Sequence, residues 1–128
     1  DEERHRGRAL ATLLVDLDLP RAREWRSSLA ACQSAGFALA AVGWGIPLPQ
    51  AALGLAWGWL ENLILAGVKL IPLGQTAGQR LLRDLGPVLV GAVRRGLTLT
   101  DAEVGASAPA LAIASSRHPQ QYCRLFRS

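Results

Sequence analysis

The longest uncharged stretch of the chain covers residues 27–60, which carry no acidic and no basic side chain over 34 positions. This length exceeds the roughly 20 residues that cross a bilayer as a helix. Pro47 and Pro49 split the stretch, because each proline disfavours helical geometry in the residue before it. Gln33 and Gln50 add polar groups inside it. We therefore expect a buried pair of helices, and a membrane hairpin over residues 27–60 is the alternative.

The composition favours helices over strands. Half of the 128 residues are hydrophobic, only 5% are aromatic, and Ala, Leu and Gly dominate. Strands prefer β-branched and aromatic residues, and no alternating apolar and polar run of strand length occurs. We predict an all-α fold, a compact bundle of about five to seven helices in a single domain over residues 1–128, with a C-terminal tail.

Apolar spacing and helix-breaking residues divide the chain into successive helices. Thr76 with Gln79, and Thr100 with Glu103, have the form of capping boxes, which mark helix starts. Gly86 and Pro87 predict a break or kink. The expected helices cover residues 2–15, 20–31, 34–44, 50–70, 76–85, 87–95 and 109–116, with a turn at 45–50 and Pro49 in the first turn of the long helix.

The excess of basic over acidic residues lies in the C-terminal half. The net charge is +4; residues 1–26 hold six acids and six bases, and residues 61–128 hold four acids and eight bases. A basic surface attracts an acidic protein, nucleic acid or lipid. Three arginines near the end without an aromatic platform are a thin signal for RNA, so we expect no nucleic-acid partner.

Two features bear on the chain's origin. It contains no methionine and opens within what reads as an amphipathic helix, so we expect a fragment lacking the true N-terminus. Cys32 and Cys123 do not form a disulfide framework, which favours a reduced, cytoplasmic compartment.

Asn62 and Lys69 are polar residues in an apolar helical segment. They lie seven positions apart, so they fall nearly on one stripe of a helix, with Glu61 beside it. Three interpretations remain open: a solvent-facing edge, a recognition stripe for a partner, or a lysine buried against Glu61.

The segment 72–79 contains Gln75, Gln79 and two glycines. It lacks the lysine and the preceding strand of a phosphate-binding loop. A helix-to-helix corner is the expected structure, in which Gln75 and Gln79, one turn apart, face one neighbour.

The tail, residues 117–128, has apolar anchors between arginines, a composition typical of binding hot spots. It either packs on the protein's own body or docks to a partner. The residues concerned are Arg117, Tyr122, Arg124, Leu125, Phe126 and Arg127.

Catalytic and metal sites are not indicated. His5, His118, Cys32 and Cys123 are the only imidazole or thiol ligands, and their spacing completes no tetrahedral site. No catalytic triad or carboxylate pair can be assembled. We expect no cofactor, no resident metal and no enzymatic activity.

Several blocks of the sequence resemble the UreF-type urease accessory proteins. These blocks are Arg6-Gly-Arg-Ala-Leu10, Trp59-Leu-Glu-Asn62, the run from Ala66 to Leu82 that contains Lys-Leu-Ile-Pro-Leu-Gly-Gln, Ala112-Ile-Ala-Ser-Ser-Arg-His118 and the terminal Arg124-Leu-Phe-Arg-Ser128.

This resemblance implies an all-helical, dimer-forming chaperone of the cytoplasm that is not itself an enzyme. Such proteins bridge the accessory protein UreD, called UreH in some species, to the GTPase UreG. The assembly delivers nickel and carbon dioxide to apo-urease.

The resemblance also assigns roles to particular residues. Lys69 matches the lysine before the family's Pro-Leu-Gly-Gln corner, which is associated with the surface facing the GTPase. Arg124, Leu125, Phe126, Arg127 and Ser128 match the family's terminal segment, which helps to hold the UreD-type partner. We expect partner contacts at these residues and at Asn62, Gln75, Gln79 and Tyr122.

Overall fold

The regular structure of the described chain is helical. A computed structural model describes residues 2–71, 73–105 and 107–117, and no strand occurs among them. The predicted all-α class is confirmed. The elements are α1 (Glu2–Asp16), α2 (Arg26–Ala31), α3 (Gln33–Gly43), α4 (Leu48–Leu70), α5 (Gln75–Gly96), a 3₁₀ turn (Asp101–Glu103) and α6 (Pro109–Ser116).

Contacts along the backbone divide the chain into two compact units, Asp1–Trp59 and Leu60–Ser128. Each unit has its own buried cluster of apolar side chains. The single domain predicted over residues 1–128 stays a prediction.

The core of the first unit lies where α1, α2 and α3 contact one another. Its buried cluster contains Leu14, Leu19, Ala22 and Ala40. Gly7 allows α1 to cross closely over the end of α2, because a Cβ there would lie 2.9 Å from the carbonyl oxygens of two α2 residues. Small residues thus set the spacing of this helix packing.

Helix α1 ends in a Schellman motif. The Asp18 N–H donates to the Val15 carbonyl at 3.0 Å and the Leu19 N–H donates to the Leu14 carbonyl at 3.0 Å. Asp18 has the left-handed φ of 50° that this motif requires. Leu19 and Leu14 share the buried cluster, which is the apolar contact that accompanies such caps.

A second reversal follows at once. The Ala22 N–H donates to the Leu19 carbonyl at 3.0 Å. Pro20 occupies the second position of this turn, and Arg21, at φ 66°, occupies the third. This is the pattern of a type II turn, whose third position favours glycine. A left-handed non-glycine residue costs roughly 1 kcal/mol.

The predicted helix over residues 20–31 is therefore too long. The observed helix α2 begins only at Arg26, because the positive φ of Arg21 interrupts helical geometry. The start of α3 was placed to within one residue, at Gln33, where Glu3 of α1 supplies the cap. Its Oε1 accepts from the Gln33 backbone N–H at 2.8 Å.

Helix α3 also ends in a Schellman motif, in which Gly45, at φ 66°, takes the left-handed position. The Ile46 N–H donates to the Ala41 carbonyl at 2.8 Å. Helix α4 then begins at Leu48, two residues earlier than predicted, and Pro49 lies in its first turn as predicted.

The second unit contains the C-terminal half of α4 and all of α5. Leu60 and Ile64 of α4 and Leu82 of α5 form its buried cluster. Gly78 permits the close approach, since a Cβ there would lie 2.7 Å from a methyl group of Val68.

Two predicted features of α5 are absent, a capping box at its start and a break at Pro87. The helix begins after Gly74, at φ 72°, with no side-chain cap, so Thr76 and Gln79 do not form a capping box. The helix also continues through Pro87 without a break, and the alternative of a kink there stays a prediction. The physical reason is that Leu82, Leu85 and Leu89 share one helical face packed at the cluster, and a break at position 86 would remove Leu89 from it.

The remaining elements match expectation. The Glu103 carboxylate accepts from the Thr100 N–H at 2.9 Å, and the Thr100 side chain accepts from the Glu103 backbone N–H, which together form the predicted capping box. The carboxylate also accepts from the Thr100 hydroxyl at 2.8 Å. Helix α6 has the predicted bounds, with a proline at its first position. The tail prediction from His118 to Ser128 lies outside the described residues.

Candidate protein-interaction surface

The polar stripe of α4, made of Asn62 and Lys69, is exposed, and Glu61 beside it is exposed as well. The two residues of the stripe are separated by about 10 Å along the helix axis. The interpretation of Lys69 as an amine buried against Glu61 is wrong, because Lys69 lies in the last turn of the helix and faces solvent. Its position there also complements the helix dipole.

An apolar stripe runs beside the polar one. Leu63 is 55% exposed and Leu70 is 68% exposed, although Leu60 and Ile64 on another face of the same helix are buried. At about 100° per residue, the exposed leucines lie about 80–120° from the polar stripe around the helix axis. Exposed apolar side chains rimmed by polar ones are typical of protein-binding surfaces.

The corner between α4 and α5 is a helix-to-helix connection, as expected. It follows a helix, whereas a phosphate-binding loop follows a strand. Gln75 and Gln79 both lie in the first turns of α5, and both are exposed. Pro72 lies outside the described residues.

Helix α6 is exposed along its whole length. Leu111 is 70% exposed and Ile113 is 57% exposed. An isolated helix of eight residues is marginal in water, because its few hydrogen bonds barely offset the entropy of nucleation. Within the described part of the chain, α6 thus presents an uncovered apolar surface, and in sequence it immediately precedes the tail.

The predicted tail residues fall outside the described part of the chain, so their roles stay predictions. They are Tyr122, Arg124, Leu125, Phe126, Arg127 and Ser128.

The membrane hairpin over residues 27–60 is contradicted by helix lengths, because α2 has six residues and α3 has eleven. Helix α4 itself is long and apolar enough to cross a membrane. An 18-residue stretch of it has a mean hydropathy of 1.4, and 11% of that stretch is buried. One such helix is weak evidence, since core helices of soluble proteins can meet the same criteria.

Sequence reasoning missed the connection between α1 and α2. Asp18, Leu19, Arg21, Arg23 and Glu24 line an open depression of about 300 Å³ there. The sequence did carry a signal for this connection. Arg21 follows Pro20 in a tight turn, at the third position, where glycine is usual. Among residues 2–71, 73–105 and 107–117, no group of three or more His, Cys, Asp or Glu is placed to hold a metal ion.

The helices define an all-α protein. Its candidate sites are exposed side chains that suit contacts with other proteins. A sequence model of the UreF family matches residues 1–86. The chain belongs to the UreF family. No solved structure shows a significant match to it.

Curated relatives support the same assignment. The chain is 55% identical over 127 residues to the urease accessory protein UreF of Pseudomonas putida strain W619. This match covers 99% of the present chain and 57% of that relative. It is 51% identical to the UreF of Alkalilimnicola ehrlichii and 45% identical to that of Citrobacter koseri, with 100% of this chain covered in both. These matches cover 56% and 57% of the two relatives. The chain thus spans somewhat over half the length of these relatives, whose name is that of an accessory protein rather than an enzyme.

Proposed function

We propose that this protein is a scaffold in urease maturation. It joins a UreD-type (UreH-type) accessory protein to a UreG-type GTPase while nickel is delivered to apo-urease. Family membership supports the role of accessory protein, and the exposed surfaces support contacts with other proteins. Nickel is the cargo of this assembly, and we propose no catalytic step for the chain itself.

The observation that carries the proposal is the uncovered helix α6. Its leucine and isoleucine face solvent, and the helix leads directly into the arginine-rich and aromatic residues 117–128. A partner that covered α6 would bury apolar area and stabilise the short helix at the same time. We assign this surface, with the tail, to the UreD-type partner.

The second surface is the polar stripe of Asn62 and Lys69 with its apolar neighbours Leu63 and Leu70. Apolar contacts supply affinity in such interfaces, and the charged rim supplies specificity. We assign this face to the UreG-type GTPase, with Gln75 and Gln79 at the adjacent corner. We further propose a homodimer in the cytoplasm, as the resemblance implies.

The first experiment is co-purification of the complete protein with each partner. Deletion of residues 124–128, and separately Leu111→Asp, should abolish capture of the UreD-type partner without loss of helical circular dichroism. Val104→Asp is the matched control, because Val104 is equally exposed but lies outside α6. Capture that survives both changes would remove α6 and the tail from the interface.

The second experiment tests the α4 surface. Lys69→Ala should reduce capture of the UreG-type GTPase and urease activation while the melting temperature stays unchanged. Arg94→Ala is the control, because it removes an exposed cation from the far end of α5. Normal activation by Lys69→Ala would exclude Lys69 from the working surface. Cell fractionation tests the cytoplasmic assignment: the protein should be recovered without detergent in the cytoplasmic fraction, and recovery in the membrane or periplasmic fraction would contradict it.

A further inference from the structure

The connection between α1 and α2 holds an exposed arginine stacked on an exposed tryptophan. The Arg21 guanidinium carbon lies 5.8 Å from the centroid of the Trp25 ring. Trp25 is 44% exposed. Tryptophan and arginine are the residue types most enriched at binding hot spots.

The backbone at Arg21 is better suited to glycine. Its φ of 66° lies in the left-handed region, at the turn position where glycine is normally found. The contact with Trp25 is solvent-exposed, where cation–π attraction is weak. The turn therefore gains little from the arginine, and its side chain is available for another role.

The charges around Arg21 select the kind of ligand. Arg23 is paired with Asp18 at 3.1 Å. Within the described residues, Arg21 makes no ion pair, although Asp18 and Glu24 also line the depression. A guanidinium stacked on an indole still directs N–H groups at its edge, which match a carboxylate. Asp18 and Glu24 repel a dianionic phosphate or the repeated charges of a nucleic-acid backbone more strongly than a single carboxylate.

We propose that Arg21 and Trp25 form a docking point for an acidic segment of a partner protein. The segment places a carboxylate on Arg21 and an apolar side chain on Trp25. This docking point lies in the first unit and uses no residue of α6 or of the polar stripe of α4. This docking point goes beyond the proposed function. It depends on that function only for the choice of natural partners in the first test.

The first test uses Arg21→Gly in the complete protein. Glycine removes the guanidinium and suits the positive φ, so the melting temperature should stay the same or rise. Affinity for at least one of the UreD-type protein, the UreG-type GTPase and apo-urease should fall about tenfold, or about 1.4 kcal/mol. Arg23→Gln is the matched control, because it removes a neighbouring cation and leaves Arg21 in place. Equal affinities for wild type and Arg21→Gly would overturn the proposal.

The second test does not depend on those partners. A synthetic peptide of alternating glutamate and leucine is titrated while the indole N–H resonance of Trp25 is followed by NMR. The resonance should shift in the wild-type protein and not in Arg21→Gly. No shift, or an equal shift on adding inorganic phosphate, would overturn the choice of an acidic peptide. A peptide response without capture of any partner would contradict the scaffold function and support the docking point.

Discussion

The backbone N–H of Leu19 donates to the carbonyl oxygen of Leu14 at 3.0 Å, and both side chains lie in one buried cluster. This bond closes the end of α1 and turns the chain back onto the core. The residue enclosed by the motif, Asp18, takes the left-handed conformation. Gly45 occupies the equivalent left-handed position at the end of α3.

We expect Asp18→Val to lower the free energy of unfolding by about 1–2 kcal/mol, because a β-branched residue is strongly disfavoured at positive φ. Asp18→Gly is the matched control and should leave the stability unchanged or slightly higher. Loss of the ion pair with Arg23 contributes little, since both side chains are exposed. Urea denaturation measures both variants, and equal stability of Asp18→Val and wild type would contradict the strain argument.

Gly7→Ala should destabilise the protein by about 2 kcal/mol through overpacking. The new methyl group would lie 2.9 Å from the carbonyl oxygens of Leu29 and Ala30, and backbone atoms cannot move aside cheaply. Gly91→Ala in α5 is the control, because nothing lies within 4 Å of its Cβ. It should raise stability by about 0.5–1 kcal/mol. Thermal unfolding distinguishes the two, and a neutral Gly7→Ala would show that α1 and α2 separate readily.

Glu3→Ala should cost about 1 kcal/mol, because Glu3 caps α3 from a different helix. Its carboxylate accepts from the Gln33 backbone N–H at 2.8 Å and from the Cys32 thiol at 3.5 Å. Amide hydrogen exchange at Gln33 should accelerate in the variant. Glu24→Ala removes an exposed acid elsewhere in the same unit and should leave this exchange unchanged. Unaltered protection of Gln33 in Glu3→Ala would rule out the cap.

The capping box at Thr100 predicts a pH dependence. Two hydrogen bonds from Thr100 lower the pKa of Glu103 from its ordinary value of 4.5. The bond from the backbone N–H has the larger effect, and the bond from the hydroxyl has the smaller one. A lowered pKa means that the carboxylate stabilises the folded turn above pH 4.5 and that this contribution disappears as pH falls through the folded pKa.

Carbon-13 NMR titration of the Glu103 carboxyl group checks this prediction. In Thr100→Val the pKa should rise toward 4.5, because one donor is lost. Thr98→Val is the control, since the Thr98 hydroxyl donates to the Arg95 carbonyl and not to Glu103. An identical Glu103 titration in wild type and Thr100→Val would refute the role of the hydroxyl.

Most of the helices could be predicted from sequence, because apolar periodicity and capping are local properties. The bounds of α6 and the Thr100–Glu103 box came out as predicted, and α1 differed by one residue. Pro87 was misjudged because local chemistry favours a break there. Packing of Leu82 and Leu89 at one cluster outweighs that preference, and this packing appears only in three dimensions.

The sequence by itself determined the all-α class, the order of the helices and the family, because these follow from periodicity and from long matching blocks. Only the tertiary structure decided which polar residues face solvent. It placed Lys69 on the surface, Glu3 at the start of α3 and Arg21 over Trp25. These relationships depend on contacts between helices and on turn geometry, so spacing along the chain did not specify them.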